Sequence, residues 1–220
     1  TRWTSMSRGL GDVYKRQAQK AYRSGQVQQA EKLIHDGLAK APNYDDLVKL
    51  RNDIEMITPL AKRLEGSEQL VGSEDVTAIR AMITECESVM NIRTQSEEVD
   101  RIKAKAATFA QKLKERLTEI TTQATWEGDQ ALEQGDKRMA LIAYRKAVNA
   151  DPGNQKAELA SAKLQKELTP LAKEHFQQAL VHEELGQSEL AEAEFERVLE
   201  IAIPGDTYYD RAIQKLKKYR

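Results

Sequence analysis

Residues 135–152, GDKRMALIAYRKAVNADP, decide how this chain of 220 residues folds. Gly135 interrupts a helical pattern and supplies the positive φ that a tight turn between two helices needs. Small and apolar side chains then recur at helical spacing, at Ala140, Ala143, Tyr144, Ala147 and Val148. Pro152 cannot continue the helix and ends the run. Because small residues let a second helix approach closely, the stretch predicts a tightly packed pair of antiparallel helices.

This spacing resembles the second helix of a tetratricopeptide repeat. The glycine is followed by an alanine at five residues, an aromatic residue at nine, an alanine at twelve and a proline at seventeen. The resemblance implies an all-α fold, a tetratricopeptide-like α-solenoid of antiparallel helix pairs. It also implies a repeat protein of bacterial type that binds other proteins.

The same pattern occurs earlier in the chain. Gly25 and Pro42 precede Gly135 and Pro152 by 110 residues each, and the sequence TPLAK at 58–62 returns 111 residues later at 169–173. The pairs Asp100-Arg101 and Asp210-Arg211 are again 110 residues apart. We therefore expect an internal duplication of about 110 residues. The threonine–proline joint of each copy is either a helix start or a kink within a longer helix.

The duplication gives an expected organisation. Residues 18–96 form the first unit, with one repeat and a degenerate hairpin. Residues 124–205 form the second unit, with two repeat pairs, of which the second turns at Gly186 and ends at Pro204. Residues 97–134 form one long connecting helix of ~57 Å, whose end is the first helix of the next repeat. Residues 206–220 form a C-terminal capping helix.

The first residues look foreign to this pattern. Residues 7–17, SRGLGDVYKRQ, resemble the translation of a sequencing-library adapter. We therefore expect residues 1–17 to be non-native or disordered, and Trp3 and Tyr14 to have no functional role. Natural sequence then begins near Ala18, and a preceding signal peptide, anchor or domain is missing. The compartment stays open between cytoplasm and periplasm.

Composition argues against several classes of function. The net charge of −1 gives no overall field that would attract nucleic acid or an anionic membrane. No apolar run is long enough for direct membrane insertion of this fragment. A basic stretch between Arg101 and Arg116 can lie on an acidic partner or a membrane surface, but a solvated helix face is the favoured interpretation.

No arrangement of residues indicates catalysis, a cofactor or a metal. His175 and His182 are two helical turns apart, about 10.5 Å, which is too far to share one metal ion without a further element. Cys86 is the only cysteine, and its neighbours Glu85 and Glu87 should raise the pKa of its thiol. Phosphate-binding loops and nucleophile motifs are not found. The chain is therefore predicted not to be an enzyme.

The resemblance also implies where a partner binds. In tetratricopeptide solenoids the first helix of each pair lines a concave groove, which here would contain Gln19, Tyr22, Thr125, Asp129, Leu132, Phe176, Leu180 and Glu183. The lysines and asparagines with which some members hold a C-terminal carboxylate are absent from these positions. The mixed apolar and acidic character favours a helix or an extended segment of a partner protein with apolar anchors and some basic side chains. The alternatives are weak self-association as a structural protein, and a regulatory arm of a larger membrane-anchored or enzymatic protein.

Overall fold

The structure is a computed structural model that describes residues 2–94 and 96–219, with side chains from residue 9 onwards. Within these residues the chain forms nine α-helices, a short 3₁₀ helix at Glu68–Gly72 and no strand. The helices are α1 Arg2–Arg23, α2 Val27–Lys40, α3 Asp45–Gly66, α4 Val76–Met90, α5 Glu97–Glu133, α6 Lys137–Ala150, α7 Gln155–Glu184, α8 Ser188–Ile201 and α9 Thr207–Leu216. The predicted all-α, tetratricopeptide-like fold is confirmed.

Three glycines turn the chain between antiparallel helices. Gly25, Gly135 and Gly186 have φ values of 81°, 82° and 69°, which residues with a Cβ rarely adopt. At each turn the N–H of the following residue donates to the carbonyl five residues earlier, over 2.9 Å in all three cases. This is the Schellman ending of a helix, which satisfies carbonyls that would otherwise lack a partner. The predicted turns are confirmed for the pairs α1–α2, α5–α6 and α7–α8.

The chain divides into two compact units, unit 1 at Thr1–Lys114 and unit 2 at Glu115–Arg220. The boundary lies inside α5, so this helix contributes its first half to unit 1 and its second half to unit 2. In the first half Ile102, Ala106 and Leu113 are buried, and in the second half Ala124 is buried beside Tyr144. The residues expected to form a connecting helix are therefore part of two hydrophobic cores.

In unit 1, α1 and α2 pack against α3. The buried residues of this cluster are Ala18, Ala21, Ala30, Ile34, Leu47, Leu50 and Ile54. The alanines lie where α1 and α2 approach each other, as the sequence pattern predicts. α4 and the first half of α5 complete the unit, with ion pairs between Arg63 and Glu85 at 2.8 Å and between Lys114 and Glu87 at 3.1 Å. Such exposed pairs contribute little, so buried apolar area stabilises this part of the unit.

The expected disorder at residues 1–17 is wrong where side chains are described. Gly11 and Tyr14 extend the apolar face of Ala18 and Ala21 by steps of three and four residues, so the helix has a hydrophobic reason to continue. The Tyr44 hydroxyl donates a hydrogen bond to Asp12, which belongs to the same segment. Thr1 and the side chains of residues 2–8, with that of Trp3, lie outside the described part. The adapter origin of residues 7–17 stays a prediction.

Gly37 shows why a weak helix former is placed inside α2. A Cβ at this position would lie 2.8 Å from Leu47 Cδ1 and 2.8 Å from Tyr14 Cβ, and the second atom cannot swing away because it is attached to the backbone of α1. Glycine therefore permits the close approach of α1, α2 and α3, in spite of its low helix propensity.

We expect Gly37→Ala to lower the free energy of unfolding of unit 1 by about 1–2 kcal/mol, because overpacking outweighs the gain in helix propensity. Gly9→Ala in α1 is the matched control, since a Cβ there meets nothing within 4 Å. That substitution should stabilise by up to about 1 kcal/mol. Urea unfolding followed by circular dichroism measures both. Equal effects would show that Gly37 is not a contact point.

Unit 2 contains two core clusters that meet along α7. The first joins α5, α6 and the beginning of α7 around Ala124, Leu141, Tyr144, Ala157, Leu164 and Leu168. The second joins the end of α7 to α8 and α9 around Ala172, Phe176, Ala191, Phe195, Val198 and Leu216. The rings of Phe176 and Phe195 meet edge to face with centroids 5.4 Å apart, a favourable aromatic geometry.

Both threonine–proline joints lie inside helices. Pro59 is within α3 and Pro170 within α7, so the joints are internal to longer helices and are not helix starts. Next to the first joint, the Thr58 hydroxyl donates to the carbonyl of Ile54 over 2.6 Å. The helices α2, α6 and α8 end just before Pro42, Pro152 and Pro204, as the sequence predicts.

Candidate functional site

The predicted groove residues lie on three helices. Gln19 and Tyr22 are in α1, Thr125, Asp129 and Leu132 are in the second half of α5, and Phe176, Leu180 and Glu183 are in α7. The three sets have different surroundings. The first borders open clefts, the second is engaged by the beginning of α7, and the third is covered by α9.

Gln19 borders a cleft of about 660 Å³ between α1, α3 and the beginning of α5, here called the polar cleft. It is lined by the acidic residues Asp46, Asp53, Glu97 and Glu98, the lysines Lys15 and Lys49, and the apolar residues Leu50 and Met56. Carboxylates outnumber lysines in its wall by four to two. Lys15 and Arg23 pair with three of these carboxylates, so Asp53 is the acidic residue that favours a positively charged ligand.

Tyr22, one turn further along the same face of α1, borders a second cleft of about 370 Å³. We call it the joint cleft because Thr58 lies in its wall. Its apolar wall is formed by Val27, Ile57, Ala61 and Ile102, and its charged residues are Arg23, Lys62, Glu65, Glu98, Arg101 and Lys105. Burial raises the pKa of the Tyr22 hydroxyl, and a hydrogen bond with the Thr58 side chain partly opposes the rise. This cleft can receive an apolar side chain.

Glu98 borders both clefts and is the most deeply buried carboxylate of unit 1, with 3% of its surface exposed. Arg23 donates to its Oε1 through Nε at 2.9 Å and through Nη2 at 2.7 Å. The same Nη2 lies 2.7 Å from Glu97 Oε2, and its hydrogen bond holds the pKa of Glu97 below the usual range. The ion pair between Arg23 and Glu98 joins the end of α1 to the beginning of α5, where the two clefts meet.

In unit 2 the α5 set is engaged by neighbouring residues. Lys156 Nζ lies 2.5 Å from Asp129 Oδ2, and the Tyr144 hydroxyl donates to Asp129 Oδ1 over 2.7 Å. The bond from Lys156 is the main reason why the pKa of Asp129 is lowered. Asn154 donates through Nδ2 to the Thr125 hydroxyl over 3.1 Å. Asp129 and Thr125 therefore hold α7 in place, and Leu132 is the most exposed member of the set.

The bond between Tyr144 and Asp129 predicts a loss of stability at high pH. Burial, and then the hydrogen bond to Asp129, raise the pKa of Tyr144 from 10.0 to about 12. The folded state therefore favours the protonated phenol, a contribution that is complete below pH 10 and is lost as the pH rises towards 12. Two pKa units correspond to about 2–3 kcal/mol.

Tyr144→Phe should remove this pH dependence. The free energies of unfolding of the parent chain and the variant, each measured at mildly and at strongly alkaline pH, test this expectation. The other tyrosines and the lysines titrate equally in both proteins, so the difference between them reports Tyr144. If both proteins lose the same free energy, Tyr144 does not titrate as a buried phenol.

Phe176, a predicted groove residue, is buried in the core and does not line an open surface. Phe176 is 2% exposed, and its ring lies 5.4 Å from that of Phe195 and 5.7 Å from that of Tyr208. The Arg211 guanidinium lies 4.6 Å from the centre of the same ring. The physical reason is that α9 packs against this face of α7.

The other two residues of the α7 set are also held by the core or by α9. Glu183 forms ion pairs with Lys215 and with Lys218, the second over 3.9 Å. Leu180 is half-buried against the same core. Glu183 and Leu180, the acidic and the apolar side chain that were predicted to contact a partner, are therefore not freely available.

In the register of the predicted duplication, the joint cleft corresponds to a smaller cavity in unit 2. Thr58, Ala61 and Glu65 correspond to Thr169, Ala172 and Phe176 in the register of TPLAK, and Glu98 and Arg101 correspond to Tyr208 and Arg211. The cavity beside Thr169 and Ala172 measures about 170 Å³, less than half of the joint cleft. Two aromatic rings thus meet in unit 2 where unit 1 has two glutamates, and the cleft of unit 1 stays open.

Asp53 and Glu98 are not among the site residues predicted from the sequence. A signal was available, because both lie next to the apolar faces of their helices. Asp53 is three residues from Leu50 and four from Ile57, and Glu98 is four residues from Ile102. A charged residue in such a position is either paired in the folded protein or available to a ligand.

Reactive groups do not converge within the described ranges 2–94 and 96–219. Burial is the main cause that raises the pKa of the Cys86 thiol, and Glu85 and Glu87 add to it. Of these two causes, the sequence predicts only the neighbouring glutamates. His175 hydrogen-bonds to Glu194 over 2.7 Å, and His182 to Gln187 over 2.7 Å. In these residues no three His, Cys, Asp or Glu side chains could hold a metal ion.

Comparison with known families gives a match to part of the chain. Residues 172–202 match the family model of the tetratricopeptide repeat, over the end of α7, the Gly186 turn and α8. Comparison with curated proteins and with solved structures gives no match. Across the described residues, no helix has both the length and the apolar character that crossing a bilayer requires.

Proposed function

We propose that the chain is a protein-interaction module that binds a segment of a partner protein in unit 1. The binding face is the side of α1 that carries Gln19 and Tyr22. The observation that carries the proposal is that the polar cleft and the joint cleft both open along this face. Tetratricopeptide repeats commonly bind other proteins, which supports the class of function. On this proposal the chain is a scaffold or adaptor without catalysis of its own.

The chemistry of the clefts defines the partner segment. The polar cleft has an excess of carboxylates, and the joint cleft has an apolar wall next to it, with Glu98 bordering both. A helix or an extended peptide with a basic side chain close to an apolar one would place each in a suitable environment. Charge complementarity at the rim would increase the rate of encounter and make it sensitive to salt.

Selection of a random peptide library on the full chain tests the proposal. We expect the selected peptides to combine basic and apolar residues, and Gln19→Arg to weaken their binding at least fivefold, because it places a bulky cation at the polar cleft. Gln17→Arg is the matched control, since Gln17 is exposed on α1 and does not line either cleft. Its effect should stay within twofold.

Two results would contradict the proposal. The first is the selection of peptides that bind both variants equally well, which would place the binding site elsewhere. The second is concentration-dependent self-association of the chain, measured by light scattering on the same samples. It would contradict the proposal if the selected peptides do not reduce it. That result would favour the structural alternative.

A further inference from the structure

We propose that Asp53 is the receptor for the ammonium or guanidinium group of a basic side chain on the partner segment. The proposal rests on the function proposed above and identifies one residue type that the segment must carry. It is based on the environment of a single carboxylate, on its neighbours in the polar cleft, and on the corresponding positions of unit 2.

Asp53 is a buried carboxylate without a partner in the described part of the chain. It lies in the middle of α3, lines the polar cleft, and exposes 6% of its surface. It forms no hydrogen bond or ion pair with a described residue. Its carboxylate oxygens are nevertheless not fully enclosed, so a ligand in the cleft can reach them. A cation that enters the cleft supplies the counter-charge that this carboxylate lacks, and a hydrogen bond between two charged groups is stronger than a neutral one.

The other carboxylates of the polar cleft already have cations. Asp46 pairs with Lys15 over 2.7 Å, and Glu97 and Glu98 pair with Arg23 over 2.7 Å each. A basic ligand can therefore bind Asp53 without displacing the cation of an existing ion pair, unlike at the other carboxylates of this cleft.

The remaining neighbours of Asp53 fit a long basic side chain. Lys49 lies one turn earlier on α3, but it is exposed to solvent and forms no ion pair with Asp53. Leu50 and Met56 line the same cleft and supply apolar surface. Lysine and arginine bury their aliphatic stems against such surface while the charged end finds its partner.

Unit 2 lacks this arrangement at the corresponding positions. Asp53 corresponds to the exposed Lys163 in the 110-residue register, and Gln19 corresponds to Asp129. There Asp129 is paired with Lys156, the residue that corresponds to Asp46. Unit 2 therefore has no free carboxylate at this place, so the proposed receptor belongs to unit 1 and is not a general feature of the repeat.

Nuclear magnetic resonance of the full ¹⁵N-labelled chain tests the proposal with simple probes. The probes are the Nα-acetyl methylamides of lysine and arginine, and the norleucine analogue serves as the uncharged control. With the basic probes, we expect saturable chemical-shift changes of the backbone amides next to the polar cleft. The norleucine probe should bind at least tenfold more weakly. Asp53→Asn should lower the affinity for the basic probes at least tenfold. Asp45→Asn, an exposed residue of the same helix outside the cleft, should leave it unchanged.

Loss of the fold is excluded by thermal unfolding of the free variants. Asparagine has the shape of aspartate without its charge, so Asp53→Asn should unfold at the same temperature as the parent chain or a higher one. A clear fall would assign Asp53 a structural role and overturn the proposal, as would equal binding of the basic and norleucine probes. Putrescine tests the source of the cation. Tighter saturable binding of this free diamine than of the amino-acid amides would overturn the assignment to a protein side chain.

The two proposals fail in different ways. Selected peptides that bind unit 1, but whose affinity does not change when their basic residues become norleucine, would overturn the role of Asp53 and leave the proposed function intact. Failure to select any peptide contradicts the proposed function, and the amino-acid amides still test Asp53 on their own.

Discussion

Phe176→Ala is expected to lower the free energy of unfolding of unit 2 by about 3–5 kcal/mol, because it removes a buried ring and leaves a cavity. The ring is in contact with Phe195 of α8 and with Tyr208 and Arg211 of α9. Both helices therefore lose their common contact with α7. Hydrogen exchange of the amides of α8 and α9, together with urea unfolding, measures the loss.

Leu190→Ala is the control in the same unit. Leu190 lies in α8 and is 51% exposed, so its truncation should change stability by less than about 0.5 kcal/mol. An equally small effect at Phe176, combined with weaker peptide binding, would return this residue to the predicted groove. The experiment therefore decides between a core residue and a binding residue at one position.

The position of Phe176 also shows what the sequence could predict and what it could not. Turn glycines and small helix faces depend on local spacing, so the pairs at Gly25, Gly135 and Gly186 follow directly from the residue pattern. Whether a helix face stays open depends on which later element covers it. The family resemblance placed α9 at the end of the repeats as a cap, but did not show that Tyr208 and Arg211 reach Phe176.

Local patterns likewise left the environments of charged residues undetermined. The sequence places both Asp53 and Glu98 beside apolar helix faces. Arg23 precedes Glu98 by 75 residues and provides its counter-charge, whereas no described residue does so for Asp53. Pairing over such a distance depends on how α1, α3 and α5 pack together. The predicted groove residues Gln19 and Tyr22 lie beside clefts for the same reason, since α3 and α5 form the opposite walls.

Arg23→Met is expected to lower the free energy of unfolding of unit 1 by about 2–4 kcal/mol. The substitution keeps an apolar stem but leaves the Glu98 carboxylate, whose side chain is 2% exposed, without its cation. The expected value lies towards the lower part of the range for buried pairs, because the Arg23 side chain is itself 31% exposed. Urea unfolding measures the loss, and hydrogen exchange at the beginning of α5 locates it. Arg101→Met, which removes an exposed pair with Glu97, should have little effect.

A double-mutant cycle separates the cost of an unpaired charge from the loss of packing. If the unpaired Glu98 carboxylate is the cause, Arg23→Met combined with Glu98→Met should be more stable than Arg23→Met alone, since two apolar side chains can replace a buried ion pair. A double variant that is no more stable than the single one would contradict this cause. Because Glu98 borders both clefts, the double variant also tests the binding site. Restored stability without restored peptide binding would show that the charges serve recognition, whereas restoration of both would make the pair a structural support between two clefts.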